Sequence, residues 1–127
     1  MYQTQKYTIM KINNLIRKES ERTLQAWIPT KSGKLIMSIV CGESLYCTPR
    51  QSNLKAEEYS EFEVAIFDGE TGDWASYNQV KPVFDLLGEG EYYEKDWDNN
   101  PKDLDKPQNA VFGYIPREAI EKAWKLL

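Results

Sequence analysis

Residues Leu35 to Cys41, LIMSIVC, are apolar at six of seven positions, and Gly42 follows at once. Alternation assigns Leu35, Met37, Ile39 and Cys41 to one face of a strand and Ile36, Ser38 and Val40 to the other. Because both faces are largely apolar, the pattern predicts a central strand covered on both sides. The rest of the chain must therefore supply neighbours to a sheet. Gly42 ends the strand, since glycine weakens a strand interior and allows backbone angles closed to other residues. Pro49 has no amide hydrogen and biases Thr48 towards extended backbone, so Thr48, Pro49 and Arg50 are expected to leave the sheet. Tyr46 and Arg50 then project from a constrained loop at a strand end, where binding groups are often found. The plainer alternative packs Tyr46 on the sheet rim and leaves Arg50 solvated.

Around this strand the remaining elements can be read in order. Residues 1–9 read as a ragged leader, with Met10 a possible alternative start. Ile12, Leu15 and Ile16 have helical spacing from Lys11 onward and predict a short exposed helix. Leu24 to Ile28 predicts a strand with Leu24, Ala26 and Ile28 inward and Gln25 and Trp27 outward. Ser32-Gly33 makes it a hairpin with the central strand. Gln51 to Ser60 reads as a polar surface loop. Glu61 to Phe67 alternates cleanly, with Phe62, Val64 and Ile66 inward, and Asp68 to Asp73 is a hairpin turn after which Trp74 to Tyr77 returns beside it. Val83 to Leu87 suggests a helical turn ending at Gly88. Val111 to Ile115 predicts a last strand, and Pro116 suits the first position of a helix with Ile120, Ala123, Trp124 and Leu127 as its apolar stripe. Glu118 near the start of that helix and Lys125 near its end suit its dipole. The fold expected is α+β: a mainly antiparallel sheet of four or five strands with the C-terminal helix packed on one face. Residues 1–127 form a single domain on the length prior.

Composition narrows the chemistry. No run approaches the roughly 18 apolar residues that cross a bilayer, and the N-terminus lacks a secretion-signal pattern, so no membrane association and a cytoplasmic location are expected. The chain has no histidine and two cysteines, Cys41 and Cys47. That removes the usual general base, every Ser/His or Cys/His pair and the ordinary structural zinc site. An enzyme built on Cys47 would need a base that the sequence does not identify. Cys41 is expected to be buried and Cys47 more accessible. The net charge of −4 conceals a polarity: residues 1–34 carry seven Lys/Arg against two Glu, and the remainder nine against eighteen acids. Residues 88–109, an acidic loop, hold seven acids and three lysines, together with Tyr92, Tyr93 and Trp97.

Candidate sites are few. Glu61 and Glu63 share a strand face, but no cleft or source of unequal pKa values suggests glycosidase chemistry, and an exposed sheet face is the simpler reading. Asp96, Asp98 and Asn100 resemble half of a calcium loop, yet Pro101 and Pro107 occupy positions that need glycine and glutamate. The acids of Asp68 to Asp73 suit a turn better than a cation. No phosphate loop or dinucleotide fingerprint is present, and no metal or cofactor is expected. An acidic chain without a basic stripe does not suggest classical DNA binding. Arg17, Lys18 and Arg22 offer a small basic cluster, more simply a solvated face.

The succession VCGESLYCTPR, EFEVAIFD and VFGYIPREAIEKAW, spread over residues 35–124, resembles small phage proteins that counter bacterial immunity. It is similar to the first family of Thoeris anti-defence proteins. The resemblance implies a sheet-plus-helix sponge that sequesters cyclic ADP-ribose isomers, in some members cyclic oligonucleotides, without cleaving them. A homo-oligomer is expected. Such a ligand needs aromatic faces for its bases and cations for its phosphates, which Tyr46, Arg50 and one of Trp74 or Tyr77 would supply. The competing reading is an acidic protein inhibitor of a defence complex, an anti-CRISPR or nucleic-acid mimic, in which Tyr92, Tyr93, Asp96, Trp97, Asp98 and Asp103 contact the partner.

Overall fold

The computed structural model describes residues 16–18, 22–88 and 104–127. Strand β1 (Arg17–Lys18) is followed by β2 (Thr23–Pro29), β3 (Leu35–Gly42), β4 (Glu61–Asp68) and β5 (Val111–Pro116). They form one five-stranded sheet in sequence order, every pair antiparallel. Two short helices, α1 (Tyr77–Val80) and α2 (Phe84–Leu87), stand between β4 and β5, and α3 (Arg117–Leu126) closes the chain. This is the α+β fold the periodicities predict, with a C-terminal helix on one face. No helix among the described residues is long and apolar enough to cross a membrane.

The core lies between the sheet and α3. Met37, Ile39 and Cys41 of β3, Phe62, Val64 and Ile66 of β4, and Phe112 and Ile115 of β5 are buried against Ile120, Ala123 and Trp124 of the helix. Val80, Val83 and Leu87 extend the same layer. The stripe has a polar fastening as well. The Trp124 indole Nε1 donates to the Pro29 carbonyl at 2.7 Å, and the Lys31 amide donates to the Trp124 carbonyl at 3.2 Å. An indole N–H taken out of water needs such a partner, so this contact fixes where the helix can sit. Near its first turn, Arg117 lies 4.8 Å from the Phe62 ring centroid and donates to the carbonyls of Ala56 and Tyr59.

Several expectations are corrected. The helix from Lys11 does not run through Arg17 and Lys18, which pair with Gln25 and Leu24 as β1; its earlier residues lie outside those described. Cross-strand pairing with an existing sheet edge outweighs a short helical period there. β3 is central, but its second face is only half covered at Ile36 and Val40. Thr48 does not leave the sheet, since it bridges Glu61, with Thr48 N to Glu61 O at 3.0 Å and Ser60 N to Thr48 O at 2.8 Å. Pro49 removes only its own amide and does not block the bonds of Thr48. The stretch read as a polar loop, 51–60, contains a 3-10 turn at Ala56–Glu58 that buries Ala56 and Tyr59. Trp74 bridges Phe67, but the return arm stops there because Ser76 caps α1, its hydroxyl accepting from the Gln79 amide at 3.2 Å. Tyr77 is thus helical. Pro116 sits one position earlier than expected, at the N-cap of α3.

Candidate functional site

The face of the sheet opposite α3 carries the exposed aromatics. Trp27 is 52% exposed and Tyr46 and Tyr114 are each 44% exposed. By alternation Gln25 and Trp27 of β2, Val40 of β3, and Glu63, Ala65 and Phe67 of β4 share this face. Its aromatics form two groups at opposite ends of β4.

At the far end Phe67 stacks on Trp74 with ring centroids 4.7 Å apart, and Trp27 lies tilted against Phe67 at 5.3 Å. At the near end Tyr46 and Tyr114 stack with centroids 5.8 Å apart, and the Arg50 guanidinium carbon lies 5.4 Å from the Tyr46 ring centroid. The structure therefore brings Tyr46 and Arg50 together, as the sequence suggests, and adds Tyr114. It does not bring Trp74 to them. Glu63, beside Tyr46, and Phe67, beside Trp74, are four residues apart on β4, roughly 14 Å along a strand. Tyr77 is also elsewhere, on α1 with its ring 5.0 Å from Phe84. The alternative set Tyr92, Tyr93, Asp96, Trp97, Asp98 and Asp103 lies outside the described residues.

The near-end group is held by the loop that follows β3. Gly42 is required at its start, because a Cβ there would meet the Arg22 carbonyl oxygen at 2.5 Å. The Glu63 carboxylate accepts the Tyr46 amide at 3.1 Å, and Glu61 accepts the Thr48 hydroxyl at 2.6 Å. The paired glutamates stand on a partly exposed sheet face, where they tie down the loop that carries Tyr46. Beneath it Cys47 is 1% exposed, which corrects the expected accessible thiol. Its Sγ lies 3.1 Å from the Gly42 carbonyl and 3.3 Å from the Pro49 carbonyl, either of which can take its one proton, and it accepts the Gly42 amide at 3.2 Å. Burial raises the Cys47 pKa, only partly opposed by the Gly42 hydrogen bond and the Arg50 charge. A buried thiol held in its neutral form is a poor nucleophile.

Tyr114 reaches the site through an irregularity of β5. Phe62 pairs with Ile115 and Val64 with Phe112, so Glu63 alone faces both Gly113 and Tyr114. This is a bulge, and its second residue is left-handed, a conformation glycine adopts most readily. Here Tyr114 occupies it, with φ of 57°. Such backbone costs a residue with a side chain about 1–2 kcal/mol. The ring pair with Tyr46 returns about 0.5–1.5 kcal/mol, so the two nearly offset. Gly113 is needed for closeness, since a Cβ there would meet Tyr46 Cβ at 2.9 Å. The Tyr114 amide donates to the Tyr46 carbonyl at 2.9 Å, which locks loop and bulge together. Alternation alone had made Tyr114 an ordinary strand residue; the Gly-Tyr pair inside a strand was the available sign of a bulge.

The remaining candidates resolve simply. Asp68 closes the turn as a side-chain acceptor for the amides of Glu70 at 2.8 Å and Thr71 at 3.1 Å. The Gln79 side chain and these amides hold its pKa below the usual carboxylate range. Among the described residues no three Cys, Asp or Glu side chains gather as a metal site. The calcium-like stretch from Asp96 and the side chains of Arg17 and Lys18 lie outside what is described. No family model, curated protein or solved structure matches the chain.

Proposed function

We propose that the protein is a non-enzymatic sponge that captures a cyclic nucleotide immune signal, an anti-defence role of the kind carried by phages and other mobile elements. The observation supporting it is the row of Arg50, Tyr46 and Tyr114, two half-exposed rings and a guanidinium held together on the sheet face away from α3. Phosphate would be taken by Arg50 and a base by the tyrosine rings. Neither role needs a nucleophile or a base, which suits a chain without histidine. The expected homo-oligomer belongs to the same proposal and is read, with any retained nucleotide, by native mass spectrometry.

Calorimetric titration with cyclic ADP-ribose isomers and cyclic oligonucleotides tests it. Removing one charged hydrogen-bonding partner should weaken binding about tenfold to a hundredfold in Arg50→Ala. Neutralising Asp96, Asp98 and Asp103 together should leave it nearly unchanged. Absence of nucleotide heat, with a protein captured from host lysate at low salt and lost in the acidic triple variant, would replace the sponge with the acidic inhibitor.

A further inference from the structure

We infer that Cys41 and Cys47 form a reversible thiol switch, which a low-molecular-weight disulfide such as oxidised glutathione closes into an intramolecular bond, resetting the loop that bears Tyr46. Register brings the two residues together. Val40 pairs with Glu63 and Thr48 bridges Glu61, so Thr48 takes the place beside β4 that Gly42 would have held, and residues 42–47 are an excursion from one line of strand. Cys41 stands just before that excursion and Cys47 ends it. The two therefore meet where β4 presents Phe62, and both thiols are buried there. The contact of Cys47 with Gly42 bounds the separation. Its Sγ lies 3.2 Å from the Gly42 amide nitrogen, and only the Cys41 carbonyl carbon stands between that nitrogen and the Cys41 Cα. Those two bonds are about 1.33 and 1.52 Å, which places the sulfur within roughly 6 Å of that Cα. A disulfide spans about 4.4–6.8 Å between Cα atoms, so closure asks for movement of the Cys47 loop and leaves β3 in place. The thiols also act on each other: burial, then the Cys47 sulfur, raises the Cys41 pKa to about 12, and burial, then both thiols, raises that of Tyr59.

Exchange begins at Cys47, whose chain neighbours Tyr46 and Thr48 are exposed. Burial raises its pKa, but the Gly42 hydrogen bond and the Arg50 charge oppose that. A buried neutral thiol is inert, so reaction proceeds through local opening of the loop. The Cys47 thiolate attacks oxidised glutathione, forming a mixed disulfide and releasing one glutathione thiolate; the Cys41 thiolate then attacks the Cys47 sulfur and releases the second. The protein loses two protons and two electrons, and oxidised glutathione becomes two reduced glutathiones. The new bond draws the Cys47 sulfur from its contacts with Gly42 and Pro49, and Tyr46, next in the chain, moves with it. The intact chain is incubated with oxidised glutathione under native conditions and followed by whole-protein mass and amide NMR. Wild type should become two hydrogens lighter with no glutathione retained, and dithiothreitol should reverse this. Cys41→Ala should stop as a glutathione adduct of Cys47, and Cys47→Ala should stay unmodified. The Gly42 and Tyr46 amide resonances should shift while the Trp124 indole resonance stays. Wild type that remains reduced, keeps glutathione or becomes a disulfide-linked dimer overturns the inference, whether or not the variants fold. A closed disulfide that also moves the Trp124 indole is damage to the core and overturns it too. The nucleotide reading is tested separately by Arg50→Ala and survives either result.

Discussion

On one face of the sheet Met37, Ile39, Phe62, Val64 and Ile66 are fully buried, while on the other Trp27, Tyr46 and Tyr114 keep about half their surface in water. The strands are the same, but what positions the side chains differs. Towards α3 apolar burial does most of it, each large side chain contributing about 1.5–3 kcal/mol. On the opposite face the placement comes from hydrogen bonds to loop amides, a bulge and two glycine close approaches. A face fixed by burial tolerates change in its polar neighbours. A face fixed by backbone geometry fails at single positions that bury little.

The sharpest break of this contrast is Trp124→Ala. Emptying the largest ring from beneath the sheet and removing the partner of the Pro29 carbonyl should cost about 3–5 kcal/mol. An unchanged denaturant midpoint would show that α3 does not close the core. Gly113→Ala acts on the other face, where the new Cβ must push Tyr46 aside. Overpacking of this kind costs about 1–3 kcal/mol. The expected signature is a modest loss of stability accompanied by loss of nucleotide binding; intact binding would separate Tyr46 from the site.

Titration sharpens the core side. Burial pushes the Cys41 thiol up to about 12 from an ordinary 9.0, with the neighbouring Cys47 adding to the shift. The folded state therefore keeps a proton that the unfolded chain has lost between these values. The stability contributed is full below about pH 9 and lost as pH rises towards 12. Relative to wild type, Cys41→Ala should lose less stability over that window, by up to about 1.4 kcal/mol per pH unit. Parallel denaturation curves at both ends would show the thiol to be better solvated than its burial indicates. The smallest effect is on the turn: Gln79→Leu should move the Asp68 carboxyl upward towards its ordinary range, read by carbon-13 chemical shift. An unmoved titration would leave the turn amides and the Thr71 hydroxyl as its support.

The same contrast explains what was legible. Period-two alternation found β2, β3 and β4 and their inward residues, because a buried face imprints its spacing on the sequence. The stripe of α3 was legible for the same reason. The open-face site was legible only in part. Tyr46 and Arg50 stood out because a glycine and a proline bracket their loop. Tyr114 did not, because its placement depends on a register shift against β4 that no local pattern encodes. Pairing Tyr46 with Trp74 failed for a related reason: both are aromatics next to a strand end, and which end is a property of topology. Tyr59 was missed because a polar segment hid a single buried ring.

The Trp124–Pro29 hydrogen bond joins residues 95 positions apart. During synthesis at about 5–20 residues per second, the β2–β3 hairpin can emerge and pair roughly 4–17 s before its covering helix is complete. For that interval Met37, Ile39 and their neighbours have no lid, and the nascent sheet is exposed to chance pairing with other chains. The order of translation thus makes the best-packed face of the finished protein the most vulnerable one while it is being made.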